Sequence, residues 1–141
     1  MHIRPAPPRE GQSAVFHQAI PTHDLDAAVE FYEGKLGCTL ARRYDDRVTF
    51  NFFDHQVVCH LCPDKIDKEV TMYPRHFGIT FVDGKDFDHL YEKARTAGCE
   101  FFQDTFERFG DLPERHRTFF LVDPSNNLLE FKHYEDPKYI Y

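Results

Sequence analysis

The sequence predicts an α+β fold built from two copies of one module, each running strand, helix, strand, strand, strand. Three observations carry that expectation. Phe16-His17-Gln18-Ala19-Ile20 recurs in pattern as Arg75-His76-Phe77-Gly78-Ile79. His17 and His76 lie 59 residues apart, and the same offset maps Ile20 onto Ile79, Asp24 onto Asp83 and Tyr32 onto Tyr91. In each half an amphipathic helical pattern follows that stretch, and short apolar runs bounded by turn residues follow the helix.

Taken in order, residues 1–13 hold Pro5, Pro7 and Pro8 and read as a flexible or extended arm. Residues 14–20 are a first strand, ended by Pro21 and Thr22. Asp24 caps a helix whose apolar face is Leu25, Ala28, Val29, Tyr32 and Leu36, and Gly37 stops it. Residues 39–44, 47–53 and 56–62 are three strands, with turns at Asp45-Asp46 and Asp54-His55. Residues 63–74 are a polar connector. The second module opens at Arg75, and Asp86 caps a helix with Phe87, Leu90, Tyr91, Ala94 and Ala97 on one face and Gly98 after it. Residues 99–103 are a strand, 104–116 a long charged loop, and 117–122 and 127–133 the last two strands. The chain is thus expected to be an arm (1–13), a single domain of two modules (14–62 and 75–133) and a tail (134–141).

The net charge of −7 argues against a nucleic-acid or anionic-membrane surface, which needs clustered Lys and Arg. No apolar run approaches the roughly 20 residues of a membrane span, and residues 1–11 lack the apolar stretch of a signal peptide. The cytoplasm is the default expectation, so the four cysteines need not pair.

Alternation along a strand puts Leu128, Glu130 and Lys132 on one face of the last strand, and His76, Gly78 and Thr80 on one face of the fifth. His17 shares a face with Val15 and Ala19, and His60 with Val58 and Cys62. Allowing one extra turn residue, the duplication pairs His60 with Glu130 as it pairs His17 with His76. Two imidazoles and a carboxylate suit a divalent transition metal with open coordination positions, and His60 would make a fourth ligand. The competing reading of a lone strand histidine is an ordinary core or surface residue, and for Glu130 a salt bridge to Lys132 or Arg117.

The doubled pattern resembles the vicinal oxygen chelate superfamily, which includes glyoxalase I, bleomycin- and fosfomycin-resistance proteins and extradiol ring-cleaving dioxygenases. The stretches that carry it are Phe16 to Ile20, Phe31-Tyr32 with Leu36-Gly37, His76-Phe77-Gly78-Ile79, and Asp123-Pro124 through Leu129-Glu130-Phe131. The resemblance implies a curved mixed sheet around a metal site, with His17, His76 and Glu130 as ligands. It puts His60 where glyoxalase-like members carry a carboxylate ligand, or beside the metal as an acid–base group. The run from Phe50 to Val58 is most similar to small extradiol-type dioxygenases. That likeness implies a metal-dependent dioxygenase acting on a small molecule with vicinal oxygens, with Fe(II) as metal. The alternatives are a glyoxalase-like lyase or isomerase using Ni, Zn or Mn, and a non-catalytic binding or resistance protein. A homodimer with modules paired between copies is implied by the resemblance alone.

Cys59-His60-Leu61-Cys62 has Cys-x-x-Cys spacing, but positions three apart on a strand face opposite sides and no second pair exists. Arg108, Arg115, His116 and Arg117 stand as a possible lid that grips an anion. The histidines at 23, 55, 89, 116 and 133 are expected at solvated turns and element ends.

Overall fold

The computed structural model describes residues 2–141. The chain divides into two compact units: one runs to Lys68 and takes in Pro124–Asn127, and the other comprises Glu69–Asp123 and Leu128–Tyr141.

The first unit holds β1 (His2–Ile3), β2 (His17–Thr22), α1 (Leu25–Val29), β3 (Thr39–Arg43), β4 (Arg47–Phe52) and β5 (His55–Leu61), in sheet order β1-β3-β4-β5-β2. Asp24 caps α1, its side chain accepting from the Ala27 amide at 2.8 Å. The helix continues as a π-helical segment, Glu30–Lys35, and Gly37 turns the chain away at φ +80°. Tyr32, fully buried, packs its ring 5.2 Å from Phe50 and 6.2 Å from Phe52. Val48, Phe50, Phe52, Val57 and Cys59 thus form the face of the sheet toward the helix. Arg42, Thr49, Asn51, Gln56 and Val58 take the other face, with His17 and Ala19.

The second unit holds β6 (Phe77–Thr80), α2 (Gly84–Thr96), β7 (Glu100–Arg108), β8 (His116–Val122) and β9 (Leu128–Tyr134), in order β6-β9-β8-β7. Phe87, Leu90 and Ala94 are buried on α2, and Phe87 meets Phe119 at 5.2 Å between ring centres. Phe120, Val122 and Leu128 cluster on the opposite face with Val70, Met72 and Phe106.

The two units repeat one topology. β2 pairs parallel with β5 as β6 does with β9, and the strand orders β3-β4-β5-β2 and β7-β8-β9-β6 correspond. The α+β class and the two modules are as the duplication predicts.

Several boundaries differ from the sequence expectation. Pro21 and Thr22 lie inside β2 instead of ending it. β2 is an edge strand, where a missing N–H costs no ladder bond. The first segment is not wholly loose, since His2 and Ile3 pair antiparallel with Arg43 and Arg42. The hairpin turn is Phe53-Asp54, both at positive φ, instead of Asp54-His55. Asp83, not Asp86, caps α2 by accepting from the Lys85 amide at 2.9 Å. Half of the expected loop 104–116 is strand: β7 runs to Arg108, with register shifts between Phe101 and Gln103 and between Gln103 and Phe106. Those shifts break the alternation that a strand otherwise shows.

Candidate metal centre in the second unit

Glu130 sits on β9 opposite Gly78 of β6 on one side and Phe120 of β8 on the other. It is 6% exposed. Its Oε2 accepts from the Thr118 hydroxyl at 2.6 Å, and Thr118 is fully buried. Its Oε1 lies 3.1 Å from Nε2 of His76, the residue just before β6. A Cβ at Gly78 would overlap the Glu130 carbonyl oxygen, so glycine is what lets the two strands close at this point. Among the described residues neither Lys132 nor Arg117 pairs with Glu130; Arg117 bonds Asp88 at 3.0 Å.

The second nitrogen of His76 decides the chemistry. Nδ1 donates to the Met72 carbonyl at 2.7 Å, because a carbonyl only accepts. The neutral ring therefore turns the lone pair of Nε2 toward Glu130. Two acceptors 3.1 Å apart repel. The approach becomes favourable when a cation joins them, either a proton on Nε2 or a metal ion bound to both. Two ligands at right angles on a small divalent ion, each about 2.1 Å from it, lie about 3 Å apart. A backbone carbonyl on Nδ1 and a hydroxyl on the second carboxylate oxygen are the outer partners that fix metal ligands in place. The donor pair fits a divalent metal.

Around the pair the face is aromatic and cationic. The Tyr73 ring centre is 6.1 Å and the Phe120 ring centre 5.5 Å from the His76 ring. Arg108 donates to the Tyr73 hydroxyl at 3.2 Å. That bond, first among its neighbours, raises the guanidinium above its ordinary value against the opposing effect of desolvation. The rest of the expected anion lid disperses. His116 is buried, donates from Nδ1 to the Glu114 carbonyl at 3.0 Å and stacks on Tyr134 at 4.4 Å, so it is not the solvated histidine expected. Arg117 turns to Asp88, and Arg115 is exposed.

His17 belongs to the first unit. It opens β2, is exposed, and donates from Nδ1 to the Gln56 side-chain carbonyl at 2.6 Å. Nε2 is again the nitrogen left for a ligand. His60 lies on the same sheet face, but opposite Pro21, whereas His17 is opposite Gln56. Four residues of strand, about 13 Å, separate their positions.

The register also corrects the pairing of His60 with Glu130. Ala19 pairs with Val58 as Gly78 pairs with Glu130, so Val58 is the equivalent of Glu130. The hairpin between β4 and β5 has two loop residues, and the connection between β8 and β9 has five, 123–127. The difference is three residues, not one. Among the described residues no three His, Cys, Asp or Glu side chains group as a metal site. All four cysteines are free, with Cys59 buried and Cys62 half-buried.

Nothing in the sequence marks Thr118 or the Met72 carbonyl as partners of Glu130 and His76. Thr118 is a diagonal neighbour of Glu130 across β8 and β9, which a correct register for that hairpin would have exposed.

The sequence profile of the Glyoxalase/Bleomycin resistance protein/Dioxygenase superfamily matches residues 14–131. The chain belongs to this superfamily. Among solved structures, a glyoxalase/bleomycin resistance protein/dioxygenase from Alicyclobacillus acidocaldarius is 60% identical, with a TM-score of 0.89 over 92% of this chain and 97% of that one. The fosfomycin resistance protein FosX from Listeria monocytogenes is 17% identical, with a TM-score of 0.69 over 92% and 99%. Lactoylglutathione lyase from Agrobacterium tumefaciens is 18% identical, with a TM-score of 0.63 over 88% and 96%. The last two share the fold. A search of curated proteins finds no match. Among the described residues no helix is long and apolar enough to cross a membrane.

Proposed function

We propose that the chain is a metal-dependent oxidoreductase of the extradiol ring-cleaving kind, acting on a small molecule with two neighbouring oxygens. The carrying observation is the His76–Glu130 pair, 3.1 Å apart, with Nδ1 of His76 committed to Met72 and Oε2 of Glu130 to Thr118. His17 is the third ligand, its Nδ1 held by Gln56. Two imidazoles and one carboxylate are the donor set of non-haem Fe(II) oxygenases. Val58 at the fourth equivalent position favours this set over a four-ligand lyase site. Bound there, Fe(II) supplies a Lewis-acid charge and open positions for adjacent oxygens.

The chain's own residues have distinct parts. Thr118 and Met72 hold the donor atoms, Phe120 backs the His76 ring from the core, and Tyr73 and Phe106 offer apolar contact to a substrate ring. His60 stays outside the ligand set, exposed on β5, where it exchanges a proton with a substrate extending along the sheet. The working unit is a homodimer in which the modules of two copies assemble the three ligands. The four free cysteines suit the cytoplasm.

The test is oxygen uptake by protein reconstituted anaerobically with Fe(II), against a panel of catechols. Consumption of O₂ that disappears in His76→Ala and Glu130→Ala supports the reading. Turnover of a hemithioacetal with Ni or Zn and no O₂ uptake transfers support to the lyase. Stoichiometric binding that survives a chelator transfers it to a binding protein.

A further inference from the structure

Two half-buried cations of the second unit lack an acid. Arg117, also half-buried, has Asp88 at 3.0 Å. Arg108 and Lys132 have no such partner: among the described residues neither side chain forms an ion pair, and Lys132 makes no side-chain hydrogen bond. Lys132 lies two residues along β9 from Glu130, about 7 Å away on the same sheet face. Thr80 and Thr118 stand opposite it on the neighbouring strands. Arg108 ends β7 opposite His116. Two residues earlier Phe106 is opposite Thr118, the donor to Glu130. Both cations therefore share a face with the His76–Glu130 pair.

The Arg108 guanidinium touches the two rings that are open to a substrate. It donates to the Tyr73 hydroxyl at 3.2 Å, and its centre is 5.8 Å from that of the Phe106 ring. Glu130 attracts it only at a distance. A guanidinium carries five N–H donors in a planar fork that matches a carboxylate, so the Tyr73 bond leaves most of them unspent. With Glu130 given to a metal ion, Arg108 and Lys132 are left as uncompensated positive charge, although the chain as a whole has a net charge of −7. Two oxygens bound to the metal offset the metal's charge, not theirs. Holding half-buried cations without an acid costs desolvation, which charge-assisted bonds to an incoming anion offset.

We infer that the substrate is an acidic catechol, with a carboxylate on the ring or on a short side chain, and that Arg108, assisted by Lys132, holds this carboxylate and sets the preference over neutral catechols. The carboxylate lies close to the ring because the guanidinium sits against the same Tyr73 and Phe106 that offer the ring its contacts. The catechol part rests on the ring-cleaving reading above. The anion anchor is carried by Arg108 and Lys132 alone, and Arg108 is a specificity-determining residue.

The test is anaerobic calorimetry of Mn²⁺-loaded protein with catechol, protocatechuate (a catechol with one ring carboxylate) and dopamine (a catechol with an amine). Protocatechuate is expected to bind about tenfold or more tighter than catechol, the worth of one charge-assisted hydrogen bond. Arg108→Gln is expected to remove that advantage, with a much smaller change for catechol and with Mn²⁺ content unchanged. Arg108→Lys restores part of it, and Lys132→Gln weakens it by a smaller factor. Arg108→Glu is expected to reverse the order and favour dopamine over protocatechuate, which a merely structural arginine would not do. Catechol bound as tightly as protocatechuate by wild type, or an equal loss for both in Arg108→Gln, overturns the inference. If wild type takes up no metal, the metal reading fails alone. Benzoate is then titrated into metal-free protein: amide shifts centred on Phe106, Arg108 and Lys132 that vanish in Arg108→Gln support the anchor, and their absence overturns it.

Discussion

Thr118→Val probes the support of Glu130 with almost no change in side-chain size. Thr118 is fully buried and its hydroxyl lies 2.6 Å from Oε2 of a carboxylate that is 6% exposed. Valine removes the donor and leaves that oxygen in a space closed to water. An unsatisfied buried partner of a charged group costs about 1.5–3 kcal/mol. At roughly 3 °C per kcal/mol for a chain of this size, Tm falls by about 5–9 °C. Metal affinity falls as well, because the free oxygen lets the carboxylate rotate away from His76; loss of an outer partner typically costs about 10- to 100-fold. Thermal unfolding of metal-free protein reads the first quantity and Mn²⁺ calorimetry the second. Thr118→Ser, which keeps the hydroxyl, recovers most of the affinity. A Thr118→Val protein that binds Mn²⁺ as tightly as wild type refutes the reasoning, whatever its Tm.

Gly78→Ala forces a Cβ onto the Glu130 carbonyl and must push β6 from β9, with an expected loss of about 3 kcal/mol or more in urea denaturation. Asn126 sits at φ +60° and donates to the Asp67 carbonyl at 2.9 Å. Asn126→Ala therefore loses about 1–2 kcal/mol, whereas Asn126→Gly trades the bond for conformational ease and stays near wild type by the same denaturation. The Asp104 carboxyl is held below its ordinary 3.8, first by the Tyr91 hydroxyl, and that hydroxyl is held above its ordinary 10.0 by the same bond. Asp104 thus adds stability that is present above pH 3.8 and lost as pH falls through its depressed value. Tyr91 adds stability that is present below pH 10.0 and lost as pH rises through its raised value. The Tm gap between wild type and Tyr91→Phe is therefore expected to be constant near neutrality and to close in strong acid; a gap that widens in acid contradicts the sign.

The 59-residue offset carried most of what the sequence disclosed, because a duplicated module repeats its turn chemistry as well as its core. Asp24 and Asp83 both cap helices, and Gly37 and Gly98 both end them at positive φ. The offset itself pointed to Asp83; local helix-start signals around Asp86 obscured it. The sheet faces of His17 and Glu130 were legible because strand alternation needs only neighbours in sequence. The other boundary misreadings depend on pairing between strands. The equivalence of Val58 with Glu130 turns on a three-residue difference in loop length. The register shifts in β7 hid a strand among charged residues. Pro21 ends a strand only if the strand is internal, and β2 is an edge. The places of Thr118 and of the Met72 carbonyl beside Glu130 and His76 emerge only once the strands are paired.

The central claim is that His76 and Glu130 are metal ligands, with His17 as the third. It is tested most directly by metal analysis of anaerobically purified and Fe(II)-reconstituted protein, wild type beside His17→Ala, His76→Ala and Glu130→Ala. The account predicts about one metal per chain in wild type and its loss in each variant, with folding of the variants verified by circular dichroism. Absence of bound metal in wild type after reconstitution, or metal content unchanged in His76→Ala and Glu130→Ala, contradicts it.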